Sequence, residues 1–411
     1  MAARTRSTIR DTARRTGRPT RHVAAAALLA VCATFAAACG GPEPASTTDT
    51  PGMPLVGLTD AERARFLLGR ALFERLATPE EGLGPLYNAD RCSTCHDEPA
   101  TGGGGTRVLV LKATAWLDGQ CSTLMEYGGD NIQLRATPLL LSHGLGPETV
   151  PTQATATAFV SAPPLFGLGL LEAVPEETLV ALADPSDDNG DGISGRVPRS
   201  RDGRIARFGR KADAVSVADF VDTALRFELG LTTLSNPFEE RRNGEPIPAA
   251  ADPMPDPEMD GPTVAILTDY VRLLAPPATQ DAPAAADTLR QGEAVFEEIG
   301  CGRCHIPELT TGPAPEAALA HKRIRPFTDL LLHDLGSGSS DTCTHGAAPG
   351  EYRTAPLWGL RYRSRYLHDA SAGSLEDAID AHGGEAGGVV AAFHDLAAER
   401  RRVLLRFLSS L

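Results

Sequence analysis

From Thr59 onward apolar residues recur at helical spacing. Phe66, Leu67, Leu72, Phe73 and Leu76 follow the pair Thr59-x-x-Glu62, a capping box, and predict a helix. Over residues 105–170 the pattern changes to short apolar runs broken by Gly and Pro, which predict strands or extended loops. Helical spacing returns at 212–234, through Val217, Phe220, Val221, Leu225 and Phe227, and again at Val264–Leu274. Between those two, Asn243–Gly261 is crowded with proline and acid and reads as a surface loop. Near the C-terminus, Ser374-x-x-Asp377 opens a short helix that closes at Gly383-Gly384 and places His382 in its last turn.

One helical pattern occurs twice. Gly69-Arg-Ala-Leu-Phe-Glu74 recurs as Gly292-Glu-Ala-Val-Phe-Glu297, and each copy is followed by a C-x-x-C-H, after 17 residues in the first case and 3 in the second. Such a repeat implies two similar units. The expected division is a first unit at 58–274, a linker at 275–286, rich in alanine and proline, and a second unit at 287–411.

The N-terminus has a different character. Seven arginines precede an apolar run that ends Ala36-Ala37-Ala38-Cys39-Gly40, so residues 1–39 read as an export signal. The run is too short for a permanent membrane span. Its ending resembles a bacterial lipobox with Cys39 as the lipidated residue, although Ala36 stands where leucine is usual. Ordinary cleavage nearby is the other reading. Residues 40–57, rich in Pro, Thr, Ser and Gly, would be a flexible tether. Residues 1–38 carry seven arginines and one acid, or +6, so their removal takes the formal net charge from −14 to −20. Such acidity excludes nucleic acid as a partner and suits a small basic electron carrier, or serves solubility alone.

Cysteine usage brings in the chemistry. Of eight cysteines, two lie in the leader and four in Cys92-Ser-Thr-Cys-His96 and Cys301-Gly-Arg-Cys-His305. The remaining two, Cys121 and Cys343, pair most simply with each other in an oxidising compartment. C-x-x-C-H supplies two thiols that add to the vinyl groups of haem and an imidazole that reaches the iron. Zinc held by two C-x-x-C pairs would leave both histidines unexplained. Two covalently bound haems c are therefore expected, with His96 and His305 as proximal ligands.

Other strings carry a resemblance. Tyr352-Arg-Thr-Ala-Pro-Leu-Trp-Gly-Leu360, Tyr366-Leu-His-Asp369 and Leu375-Glu-Asp-Ala-Ile379 resemble bacterial di-haem cytochrome c peroxidases and the related tryptophylquinone-maturing enzyme. With Gly167-Leu-Gly-Leu-Leu-Glu-Ala173, Asn189-Gly-Asp-Gly-Ile-Ser-Gly-Arg196 and Asp329-Leu-Leu-Leu-His-Asp-Leu-Gly336, they more closely resemble the di-haem oxidoreductases, over residues 60–400. The resemblance implies a mainly α fold of two cytochrome c-like haem domains, with β or extended insertions in the first. In the peroxidases the residue fourteen after the His of the His-Asp string is the second haem's axial ligand, usually methionine. Here it is His382, fourteen after His368. Imidazole in place of thioether should lower that haem's potential.

The first haem departs from the peroxidase pattern, since no histidine lies between His96 and His143. Its iron is then open or water-ligated, or bound by something distant such as His143 or Met125. Glu172 is the expected acid/base above it, desolvated among leucines, or else a helix-capping acid. His333 and His368 read as structural residues, and Trp116 and Trp358 as core residues that could assist electron transfer. Asp187-x-Asn189-x-Asp191-Gly192 has the alternating oxygens of a calcium loop without the twelfth-position acid, or is a turn rich in Asx residues.

The reading is an exported di-haem oxidoreductase of the periplasm or cell surface, anchored through its lipid. Electrons from a small donor protein enter at the second haem, and peroxide or another oxidant reacts at the first. The alternatives are a non-catalytic electron-transfer cytochrome and an enzyme that oxidises a partner protein.

Overall fold

The computed structural model describes residues 41–279, 285–336 and 341–411. The export signal and Cys39 lie outside them. Residues 42–411 form one compact unit, mainly helical with small sheets. Among the described residues no helix is long and apolar enough to cross a membrane.

Helix α1 (Asp60–Glu74) starts at the expected capping box, with the Thr59 hydroxyl accepting from Glu62 N and the Glu62 carboxylate accepting from Thr59 N. The 105–170 region holds the largest sheet. Its central strand β1 (Gly105–Leu117) pairs antiparallel with β2 (Gln120–Ser122), β3 (Asn131–Ile132) and β4 (Ala156–Ala162). A short helix α2 (Leu168–Glu172) follows. Helix α3 (Val217–Leu229) is shorter than the 212–234 pattern, because Ser216 caps its start and Gly230 ends it at φ 68°. Asn243–Gly261 is irregular apart from one 3-10 turn, and α4 (Gly261–Arg272) begins at its Asp260 cap. In the C-terminal part, α5 (Ala286–Glu298) is followed by the hairpin pair β5 (Leu332–Asp334) and β6 (Glu351–Arg353), then α6 (Leu375–Asp380) and α7 (Ala398–Leu408).

The repeated glycines mark helix crossings. A Cβ on Gly69 would run into the Ile266 carbonyl and Tyr270 side chain of α4, and one on Gly292 into the Val403 carbonyl and Phe407 side chain of α7. Only glycine allows that approach in each pair. One core gathers Phe66 and Phe73 of α1 with Leu225, Leu267 and Val271, and also Leu319, Leu330 and Trp358 from the C-terminal part. A second core joins Phe296, Phe327, Phe393 and Phe407.

Residues 43–55, within the expected tether, lie along this body. Glu43 and Pro44 pair with Lys322 and Arg323, and Leu55 is buried with its N–H donating to Leu273 O. At the expected linker, Ala275–Pro277 is buried, and Ala275 N donates to Met53 O.

Candidate functional site

Each C-x-x-C-H forms a 3-10 turn, Cys92–Thr94 and Cys301–Arg303, closed by a bond from the histidine N–H to the first cysteine's carbonyl (3.1 and 3.0 Å). The turn gathers both thiols and the imidazole on one short loop. The repeated phenylalanines stand over the histidines, Phe73 6.0 Å from His96 and Phe296 6.4 Å from His305 between ring centroids. His96 Nδ1 lies 3.0 Å from Gly103 O and His305 Nδ1 2.9 Å from Phe327 O. Donation from Nδ1 to a carbonyl fixes the tautomer and leaves Nε2 for a metal. Burial pushes the His96 pKa down and that of His305 to about 4, so both rings are neutral, as a ligand must be. Burial likewise holds Cys92, Cys95 and Cys301 as thiols, with pKa values pushed up to about 12.

A cavity of about 280 Å³ opens at Cys92, Cys95 and His96. Its apolar wall comes from α1, α3 and α4, including Phe73, Leu225 and Val271. Its polar wall comprises Lys112, Asp130, Asn131, Asp213 and Glu228, with Arg210 elsewhere on the lining. Lys112 Nζ is 3.3 Å from Asp130, and the Glu228 carboxylate accepts from Asn131 (2.7 Å) and Asn88 (3.1 Å). Burial raises the pKa of Glu228 and of Asp213. Burial also works against the charge on Lys112, but Asp130, Asp213 and Glu228 outweigh it and its pKa rises. One cation among three carboxylates in a desolvated pocket is a proton store of the kind acid/base chemistry uses.

Arg210 has two cationic neighbours, Arg353 and Arg363, whose charges together with burial push its pKa down to about 9. Arg210 donates to Ser161 O (2.7 Å) and Oγ (2.9 Å), Arg353 to the Gly209 and Thr354 carbonyls, and Arg363 Nε is buried without a hydrogen-bond partner. Among the described residues none of the three forms a salt bridge. Half-buried guanidiniums that form no salt bridge fit an anionic group, and the carboxylates of a haem have that chemistry.

At the second turn, His382 sits just beyond α6, with its Nδ1 2.6 Å from Ala378 O. His382 is close enough for a charge on it to disfavour one on His305, after burial and against the bond to Phe327 O, and among the described residues Nε2 of neither ring makes a hydrogen bond. His333 approaches the Cys304 sulfur at 3.7 Å from Nδ1 and is held by Asp329 (2.8 Å) and Glu385 (3.1 Å). Burial opposes its charge, yet Asp329 and the Cys304 sulfur raise its pKa to about 11. The 187–196 loop packs here too. Ser194 N and Oγ donate to Glu385 (both 2.8 Å), and Arg303 donates to Asp191 O (3.1 Å). In the same loop Asp187 accepts from Gly192 N (3.1 Å), Asn189 from Asp191 N (2.9 Å) and Asp191 from Ile193 N (3.0 Å). Asn189 and Asp191 thus already close Asx turns, and Asp187 bonds across the loop.

The other expected residues are spread more widely. Glu172 is not on the cavity lining. Its carboxylate pairs with Arg272 Nε (2.5 Å) and accepts from Val217 N (2.8 Å), at the first turn of α3. His143 is exposed and Met125 is 45% exposed, so neither reaches the cavity. Cys121 and Cys343 form a disulfide with Cα atoms 5.8 Å apart, and Cys343 lines the cavity. Trp116 lies opposite Cys121 in the β1–β2 pair, and Trp358 is buried against Gly167. His368 does line the cavity, with Nε2 3.1 Å from the Tyr352 hydroxyl.

The polar wall was not among the expected residues, although two signals in the sequence mark it. Lys112 is a lone cation in the apolar run Val108–Ala113, and Glu228 falls three residues after Leu225 on the buried stripe of α3.

No curated protein matches this chain in sequence. Among solved structures, hydrazine synthase of Kuenenia stuttgartiensis is 15% identical, covering 90% of this chain and 100% of that one, with a TM-score of 0.38. A MauG-like protein associated with microbial copper homeostasis is 16% identical, covering 90% and 92%, with a TM-score of 0.38. A variant of the di-haem peroxidase BthA from Burkholderia thailandensis is 15% identical, covering 90% of each chain, with a TM-score of 0.30. Residues 156–411, more than half the chain, match the family described as "Di-haem oxidoreductase, putative peroxidase". The chain belongs to that di-haem oxidoreductase family and is a peroxidase-like oxidoreductase that uses two haems.

Proposed function

We propose that this protein is an exported di-haem peroxidase with c-type haems attached at Cys92/Cys95 and Cys301/Cys304, in two haem-bearing parts spanning 58–274 and 287–411. His96 and His305 are the proximal ligands, and His382 closes the second site. The haems supply the iron and the electrons for reducing peroxide to water, which consumes two electrons and two protons. Electrons enter at the second site from a small, basic donor protein and pass to the first. The acidic mature chain supports such a donor, and the basic leader ending at Cys39 supports export with a lipid anchor at the periplasmic or outer surface.

The observation that carries this reading is the inequality of the two sites. Beside His305 stands His382 with Nε2 unengaged, which suits a closed electron-transfer site. The cavity at His96 is lined by Lys112, Asp130, Asp213 and Glu228 instead, and its other histidine, His368, has Nε2 bonded to Tyr352. Glu228 is anchored by two asparagines and holds a proton more readily than an exposed glutamate. It therefore gives and takes the proton that peroxide cleavage moves between oxygens, while Lys112 steadies the carboxylates around it.

The test combines spectroscopy and kinetics. The ferric protein should show one high-spin and one low-spin haem, and His382→Ala should alter only the low-spin signal. Glu228→Gln should slow the peroxide reaction by about 10²-fold with both spectra retained. Two low-spin haems indifferent to peroxide would instead identify an electron carrier.

A further inference from the structure

We infer that Tyr352 is a redox relay between the two haem sites, carrying each electron as a transient tyrosyl radical. The inference rests on the reading of the Cys92–His96 cavity as the place where peroxide is reduced.

The β5–β6 pair spans from one site to the other. His333 on β5 and Tyr352 on β6 are directly opposed in the ladder. Opposed residues of an antiparallel pair share a face, with Cβ atoms about 5 Å apart. His333 contacts the Cys304 sulfur at 3.7 Å, while Tyr352 lines the first cavity. Two cross-strand neighbours therefore bridge the second site's cysteine and the first site's wall. The tryptophans do not occupy this position, since neither Trp116 nor Trp358 is on the cavity lining.

The surroundings of Tyr352 suit oxidation coupled to proton loss. Its hydroxyl donates to Asp341 Oδ2 at 2.5 Å, and its ring stacks on His368 with centroids 4.4 Å apart. Asp341 is buried and held by Lys211 Nζ at 3.0 Å, and Lys211 in turn donates to Glu351 O at 2.9 Å. Lys211 Nζ also lies 4.0 Å above the Tyr352 ring and opposes a positive charge there, so the electron can leave only together with the proton. A buried phenol loses an electron far more easily when its proton can leave at the same moment to a fixed acceptor, and Asp341 is that acceptor.

The electron count closes. Peroxide removes two electrons from the first site. Tyr352 gives one electron to that site, its O–H bond breaks, and the proton moves to Asp341 Oδ2. The reduced second haem then returns one electron to the phenoxyl radical, and Asp341 returns the proton. One electron has crossed from second site to first with Tyr352 unchanged, and a second pass, once the donor protein has reduced the second site again, supplies the other electron that each peroxide takes.

The experiment uses the holoprotein with its second haem reduced and mixed with hydrogen peroxide. Rapid freezing should trap a tyrosyl EPR signal, narrowed when the protein is made with ring-deuterated tyrosine. Tyr352→Phe should abolish that signal and slow reoxidation of the second haem at least tenfold in stopped flow, with both ferric spectra unchanged. Trp358→Phe should alter neither reading. Reoxidation of Tyr352→Phe at the wild-type rate overturns the relay, as does a signal that deuterated tyrosine leaves unnarrowed. A wild type inert to peroxide overturns the peroxidase reading and the relay together, and is recognised because no variant is needed to see it.

Discussion

Glu172 and Glu228 show how much a carboxylate's role depends on residues far away in sequence. Both lie among leucines, and the local pattern around Glu172 suits a desolvated acid as well as a cap. Arg272, a hundred residues on, meets its carboxylate at 2.5 Å, and Val217 N adds a second bond of the capping kind. Glu228 is hydrogen-bonded by two asparagines, forms no salt bridge among the described residues, and faces the cavity that Lys112 also lines. Glu172→Gln should therefore cost about 1–2 kcal/mol of stability, since a partly buried charge-assisted bond is lost while its shape is kept. The peroxide reaction of that variant should stay within a few-fold of wild type. Urea unfolding beside stopped-flow peroxide mixing measures both, and a hundredfold loss of rate with unchanged stability would return the acid role to Glu172. The place of His382 just beyond a short helix was legible, because Ser374-x-x-Asp377 and Gly383-Gly384 bound that helix locally.

The repeated helix was legible as an element, while its purpose needed the packing. Gly-x-Ala-x-Phe-Glu could be read twice in the chain, but nothing in either copy names the helix it crosses. The structure supplies α4 for the first copy and α7 for the second, and seats the phenylalanine of each near the histidine of its C-x-x-C-H turn. Glycine is thus the point of contact and phenylalanine the wall, which explains why these two positions recur. Gly292→Ala should force α5 away from α7, because the added methyl meets the Val403 backbone rather than a flexible side chain end. Overpacking of this kind costs about 1–3 kcal/mol, more than the helix propensity gained from alanine returns. A lower Tm with a disturbed second-haem spectrum is the expected result, and an unchanged or raised Tm would show that the crossing has slack.

At the scale of the whole molecule, acidity is distributed unevenly, and one concentration of it sets how stability varies with pH. The loop read as surface from its proline and acid folds back so that carboxylate oxygens of Glu239, Asp252, Asp256 and Glu258 all lie within 4.8 Å of one another. Oε1 of Glu239 and Oε1 of Glu258 are buried without a hydrogen-bond partner. Composition pointed to a loop but could not show that it closes on itself, just as proline-rich residues 43–55 concealed a buried Leu55. Burial, then Glu258, Asp252 and Asp256, raise the Glu239 pKa from 4.5 to about 9. An acid with a raised folded-state pKa keeps its proton in the fold while the unfolded chain gives its proton up. The fold binds the extra proton, so its stability falls as pH rises from 4.5 towards 9. Glu239→Gln is neutral at every pH and escapes that penalty. The variant should match wild type near the pH where an ordinary glutamate titrates and exceed it by about 1–3 kcal/mol at neutral pH. Groups outside this cluster are common to both proteins, so the difference between their urea midpoints across pH reports Glu239 and the carboxylates it touches. A difference that does not grow with pH would mean that the loop relaxes and admits water around Glu239.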